Sequence, residues 1–137
     1  MSVFKDAIAN LLAPINDLLS DPSVSEIMIN GSQNIFVEKK GLVYKVPNRF
    51  SDDESLMASM RAIAQSVGRV IDADNPRLDA RLPDGSRIAV VIPPMARMGV
   101  TVAIRKFSEE KLTLKDLINF NSISPEGARF LDCCMYL

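Results

Sequence analysis

From Leu78 onward the apolar residues stop recurring at every third or fourth position and alternate with polar ones, through Leu78-Asp-Ala-Arg-Leu82, a Pro83-Asp84-Gly85 turn and Ser86 to Ile92. A period of two is the mark of a strand with one buried face. Two such runs around Pro-Asp-Gly specify a hairpin with a three-residue loop, in which glycine takes the left-handed conformation. In that register Leu82 faces Ser86, Arg81 faces Arg87, Ala80 faces Ile88 and Leu78 faces Val90. One face then carries Leu78, Ala80, Leu82, Ile88, Val90 and Ile92, and the other carries both arginines. A two-residue Asp84-Gly85 loop would instead put Arg81 and Arg87 on opposite faces. After the Pro93-Pro94 break the pattern returns, with Val100, Val102 and Ile104 on one side and Thr101, Ala103 and Arg105 on the other.

Upstream, Phe4, Ile8, Leu11, Leu12, Ile15, Leu18 and Leu19 repeat at helical spacing, with Pro14 expected to kink the helix or start a second one. This stripe covers the chain's own sheet or packs on a neighbouring subunit. Glu26 to Asn30, Asn34 to Lys39 and Leu42 to Val46 read as a three-strand meander, with Asn30-Gly31 as a turn. Ser51 is placed to cap a helix whose apolar side holds Leu56, Met57, Met60, Ile63, Ala64 and Val67, with Gly68 at its end. Two final helices are expected at Leu112 to Phe120 and at Pro125 to Leu137, the second capped by Ser124, with Cys133 and Cys134 filling a helix-core contact. The fold class is therefore α+β, a mainly antiparallel sheet flanked by helices in a single domain. A length of 137 residues suits one domain rather than two.

Composition removes several chemistries. Histidine is absent, so no imidazole base or ligand is available, and two adjacent cysteines cannot complete a zinc site or staple distant loops. No stretch approaches the roughly 20 apolar residues of a membrane span, and Met1 to Asn10 lacks a signal-peptide pattern. A soluble protein of a reducing, cytosolic setting is the expectation. None of the six glycines is followed by lysine, so there is no phosphate-binding loop, and no dinucleotide fingerprint occurs.

The net charge of −1 conceals an asymmetry. Between Arg69 and Lys106 seven basic residues stand against four acidic ones, a local balance of +3. Isolated surface arginines usually end up solvated or paired with nearby aspartates. The hairpin register, however, sets Arg81 against Arg87, and like charges directly opposite one another are unfavourable unless an anion lies between them. With Arg105 on the same polar side, three arginines converge on one surface, and arginine is the side chain suited to bidentate phosphate recognition. Arg77 and Arg97 fall in expected loops, and Lys106 points away from Arg105 into a structural or interfacial role.

Four runs taken in order carry a resemblance: Asp21-Pro-Ser-Val-Ser-Glu-Ile-Met-Ile-Asn-Gly31, Asn34-Ile-Phe-Val-Glu38 with Gly41, Asp79-Ala-Arg-Leu-Pro-Asp-Gly-Ser-Arg87, and Thr101-Val-Ala-Ile-Arg-Lys-Phe107. From about Leu18 to its end the chain resembles the amino-terminal domain of bacterial type II and type IV secretion ATPases, most closely the Flp/Tad pilus branch of CpaF or TadA-like traffic ATPases. The resemblance implies an amino-terminal helical segment at 1–20 and the family's amino-terminal domain at 21–137, followed by a RecA-like ATPase domain. It implies that Arg81, Arg87 and Arg105 reach toward the phosphates of ATP, with ATP and Mg2+ held by the longer protein and neither held stably by this part alone. It further implies a cytoplasmic hexamer, peripheral to the inner membrane, working with pilus or secretion platform proteins. The runs contain no Walker A or Walker B sequence and no catalytic metal site, so hydrolysis by this segment alone is not expected. A different class stays open at this point, a stand-alone module contacting anionic lipid or nucleic acid through its arginines. Aromatic content of 6% without tryptophan argues against base stacking, and no nucleic-acid partner is expected.

Overall fold

The computed structural model describes residues 2–107 and 112–136, with side chains from Asp6 onward. In chain order the elements are α1 (Ser2–Leu11), a 3-10 turn (Ala13–Ile15), α2 (Asn16–Ser20), β1 (Val24–Asn30), β2 (Ile35–Lys39), β3 (Leu42–Val46), α3 (Asp53–Ser66), β4 (Arg77–Arg81), β5 (Arg87–Val91), β6 (Thr101–Arg105), α4 (Leu114–Asn119) and α5 (Pro125–Met135). The architecture is α+β, as the hydrophobic periods predict.

Pro14 breaks the first helix as expected, because its ring cannot continue the turn and it lacks an N–H. The break is bridged by Asn16, whose side-chain amide donates to the Ala9 carbonyl at 2.9 Å. Ile8, Leu12, Ile15 and Leu18 are buried, with Leu11 and Leu19 packed against them, so the stripe covers its own core. Phe4, also on that stripe, lies outside the described side chains. The cap of α3 is Asp52 rather than Ser51: its carboxylate accepts from the Ser55 amide at 2.6 Å, and its φ of −158° is the extended backbone of a cap. Asp53 turns back to accept the Ser32 amide at 2.8 Å, which ties the start of α3 to the β1–β2 loop. The helix ends at Gly68, with φ +71°, where the Arg69 amide donates to the Ala64 carbonyl.

All six strands form one antiparallel sheet in the order β3-β2-β1-β6-β5-β4. The two sets of strands read from the sequence are thus joined by the β1–β6 pair. One face supplies Ile27, Ile29, Ile35, Val37, Leu78, Ile88, Val90, Val102 and Ile104 to the core, and α1, α2 and α3 cover it with Ile8, Leu18, Leu56, Met60 and Ile63. Among the described residues the opposite face presents Arg77, Asp79, Arg81, Arg87, Ala89, Thr101 and Arg105 as exposed side chains. Edge strand β3 overhangs the core, leaving Leu42, Val43 and Tyr44 exposed.

The described residues fall into two compact units divided after Phe107. The second holds α4, opened by a capping box between Thr113 and Asp116, and α5, whose Ser124 hydroxyl accepts the Gly127 amide. Helix α4 therefore begins two residues later than the expected Leu112, and Leu137 lies outside the described residues. Cys133 and Cys134 are both exposed, contrary to the expectation of a helix-core contact. Among the described residues of α5 only Ala128, near its start, is buried, so the helix has no core for its last turns to meet.

Candidate functional site

The Pro83-Asp84-Gly85 loop has the expected three-residue form. Leu82 and Ser86 close it through a 2.8 Å bond from the Leu82 amide to the Ser86 carbonyl, and the Gly85 amide returns to Leu82 at 2.9 Å. Asp84 stabilises the turn by accepting both the amide and the hydroxyl of Ser86, at 2.9 and 2.8 Å. Gly85 has φ +87°, a conformation that favours glycine, and a Cβ there would lie 3.3 Å from the Phe107 ring, which would have to give slightly.

This loop fixes the pairing Arg81↔Arg87, and the next ladder pairs Arg87↔Arg105. The three arginines form one exposed row across β4, β5 and β6, as the hairpin register predicts. At the usual strand separation of about 4.8 Å the row is roughly 10 Å long. It continues across β1 and β2 as Glu26 and Glu38, since Arg105 pairs with Glu26 and Glu26 with Glu38. The sheet thus has a cationic half and an anionic half along the same edge of its open face.

Arg77 is not in a loop, as the sequence reading had it, but opens β4 on the same side as Asp79 and Arg81. The alternation that marks β4 begins one residue earlier than the apolar pattern alone indicates, because Arg77 pairs with Val91. Arg97 does lie in the turn after Pro93-Pro94 and is exposed. Lys106 points away from the row, and its Nζ donates to the Asp21 carbonyl at 2.6 Å, while Lys39 Nζ meets the Asp21 carboxylate at 2.7 Å. Asp21 thereby anchors the chain end of β6 beside Arg105.

One member of the face was missed from sequence. Asp79 holds Arg87 in a two-point pair, Oδ1 to Nε at 3.0 Å and Oδ2 to Nη2 at 2.7 Å. The pair moves both groups in the expected directions: hydrogen bonding to Arg87, and the charges of Arg87, Arg77 and Arg69, hold the Asp79 carboxyl below its ordinary range, and Asp79 in turn raises Arg87. The signal was present, since the register that sets Arg81 against Arg87 also puts Asp79 diagonally beside Arg87 on the same face. Among the described residues Arg81 and Arg105 have no ion-pair partner. Nor do the described residues hold a cluster of three acidic or cysteine side chains that could bind a metal ion. Exposed guanidinium groups of this kind are chemically suited to two-point contact with an anion.

The family model for type II/IV secretion system protein matches residues 9–135. The chain belongs to that family. Among its relatives is VirB11 of the type IV secretion system of Brucella suis, 37% identical over 108 residues, which are 77% of this chain and 29% of the relative. An uncharacterized protein of Methanocaldococcus jannaschii is 38% identical over 114 residues, 82% of this chain and 16% of its own length. The crystal structure of the Brucella suis VirB11 ATPase in complex with sulphate superposes with a TM-score of 0.71 at 32% identity, over 85% of this chain and 36% of that one. The chain therefore spans less than a third of these curated relatives, and it shares the fold of part of the secretion-family ATPase. Among the described residues no helix is long and apolar enough to cross a membrane.

Proposed function

We propose that this chain is the amino-terminal domain of a hexameric secretion or pilus-assembly ATPase of the Flp/Tad, CpaF-like branch, and that Arg81, Arg87 and Arg105 bind nucleotide phosphates. The observation that carries the reading is the row Arg81–Arg87–Arg105 across three paired strands. A row of like charges at this spacing is unfavourable by itself, at a few tenths to about 1 kcal/mol per directly opposed pair, and a polyphosphate laid along it reverses the sign. The nucleotide and its Mg2+ are held by a RecA-like domain of the same protein, which supplies the phosphate-binding loop that the 137 residues lack and the metal ligands that the described residues do not provide. The arginines close on the phosphates from the opposite side, and this contact couples nucleotide state to the position of the two domains. Membership of a family that includes an ATPase of a type IV secretion system supports the same reading. Subunit contacts within a hexamer, and a place on the cytoplasmic side of the inner membrane beside the secretion or pilus platform, complete it.

The test is ATP turnover by the protein comprising this chain and its ATPase domain. Arg81→Ala and Arg87→Ala are each expected to lower kcat/KM for ATP by about 10- to 100-fold with the fold intact, the range for loss of a charge-assisted contact of about 1.5–3 kcal/mol. Unchanged turnover in both variants would refute the role.

A further inference from the structure

The open face offers Arg87 little to hold it in place. Its directly opposed neighbours are Arg81 and Arg105, which repel it. The residues flanking it toward the sheet centre are Ala89 on its own strand and Ala103 beyond, too short to pack along an arginine stem. Asp79, opposite Ala89, is the attractive neighbour, and it reaches Arg87 with both oxygens. The pair is largely exposed, at 68% of the arginine and 46% of the aspartate side chain, so it adds little to stability. Its geometry is more informative. The carboxylate takes Nε and one hydrogen of Nη2, the inner edge of the guanidinium, and leaves the outer edge formed by Nη1 and Nη2 for a second two-point contact.

We infer that Asp79 is a positioning residue: it locks the Arg87 fork side-on, so that the outer edge of the guanidinium is presented to the transferring phosphate. The inference rests on the proposed role of the arginine row. Asp79 touches no reacting atom. Its negative charge weakens attraction of an anion to the face while the fixed orientation favours the state in which charge develops on the phosphate, so the two effects separate in kinetics.

The experiment uses the protein with its ATPase domain and compares Asp79→Ala, Asp79→Asn, Asp79→Glu, Arg87→Ala and the double variant Asp79→Ala/Arg87→Ala. Positioning predicts that Asp79→Ala lowers kcat about tenfold while KM for ATP is unchanged or lower. Asp79→Glu, which can still span to the guanidinium, recovers most of the loss. In the Arg87→Ala background, removal of Asp79 has no further effect on kcat, because it acts through Arg87. Asp79→Asn serves as the folded control if the alanine variant is recovered poorly. The inference is overturned if Asp79→Ala leaves kcat per folded molecule unchanged, or raises it together with tighter binding, the result expected of a mere competitor for Arg87. If Arg87→Ala itself leaves turnover unchanged, this inference fails with it, and the arginine-row reading falls too where Arg81→Ala is equally silent. Loss in Arg87→Ala without loss in Asp79→Ala refutes the positioning role alone.

Discussion

At the scale of single residues, Asp21 shows how one half-buried turn residue can tie two strand ends together. Its carboxylate accepts from Lys39 at 2.7 Å and from the Ser23 hydroxyl and amide at 2.6 and 2.8 Å, and these contacts, Lys39 first, hold it far below the ordinary value of 3.8. A carboxyl depressed in the folded state stabilises the fold above its unfolded pKa, and that contribution disappears as pH falls through the folded value. The melting temperature should therefore hold steady above about pH 5 and decline as pH drops below about 4. Asp21→Asn should lower the plateau and make the decline shallower; thermal unfolding from pH 7 to pH 2 measures both, and an unchanged slope would refute the assignment. Gly85 is a second sensitive position, since any side chain meets both a φ of +87° and the Phe107 ring. Gly85→Val should destabilise by about 1–3 kcal/mol in denaturant unfolding. The hairpin was legible because loop chemistry and alternation name the same register. The Asp79–Arg87 pair is equally implied by that register, but a row of like charges draws attention to directly opposed residues and away from the diagonal.

The elements differ in how much of them local pattern determines. Helix α3 is written in the sequence by its apolar spacing and Gly68, yet its cap falls at Asp52 because two consecutive aspartates and a serine offer equivalent caps, and the bond from Ser32 commits Asp53 to the β1–β2 loop. Asp52→Ala should cost about 1 kcal/mol, measurable as a fall in the unfolding midpoint. The hairpin β4–β5 and the meander β1–β3 are local pairings and readable for that reason. The β1–β6 ladder joins residues more than seventy positions apart, and no short-range signal encodes it. Ile88 lies beside this junction on β5, fully buried and paired with Ile104 of β6, and its chain neighbours Arg87 and Ala89 lie on the open face. Truncation to alanine should cost about 2–5 kcal/mol through lost burial and an unfilled cavity, with the arginine row losing its support at the same time.

For the molecule as a whole, the two compact units contrast in how much they bury. The sheet unit contains every buried apolar residue but Ala128 among those described, whereas the α4–α5 unit leaves Phe120, Phe130, Leu131, Met135 and Tyr136 largely exposed. Hydrogen exchange should accordingly be slowest for amides of β1, β5 and β6 and much faster throughout α4 and α5; comparable protection in both units would contradict this. The division after Phe107 was not legible in the sequence, which has no glycine- or serine-rich linker there and carries helix signals on the far side as strong as those before it. The hairpin loop has a further consequence, for how such a chain can vary over descent. Strand parity turns on the three residues Pro83, Asp84 and Gly85, so an insertion or deletion of one residue there would rotate β5 by half a turn, bury Arg87 and expel Ile88. The Pro93–Gly99 connection faces no such parity constraint at its tip. Length changes tolerated by selection should accumulate in the second loop and be purged from the first, which makes the hairpin a fixed point for aligning distant members of the lineage.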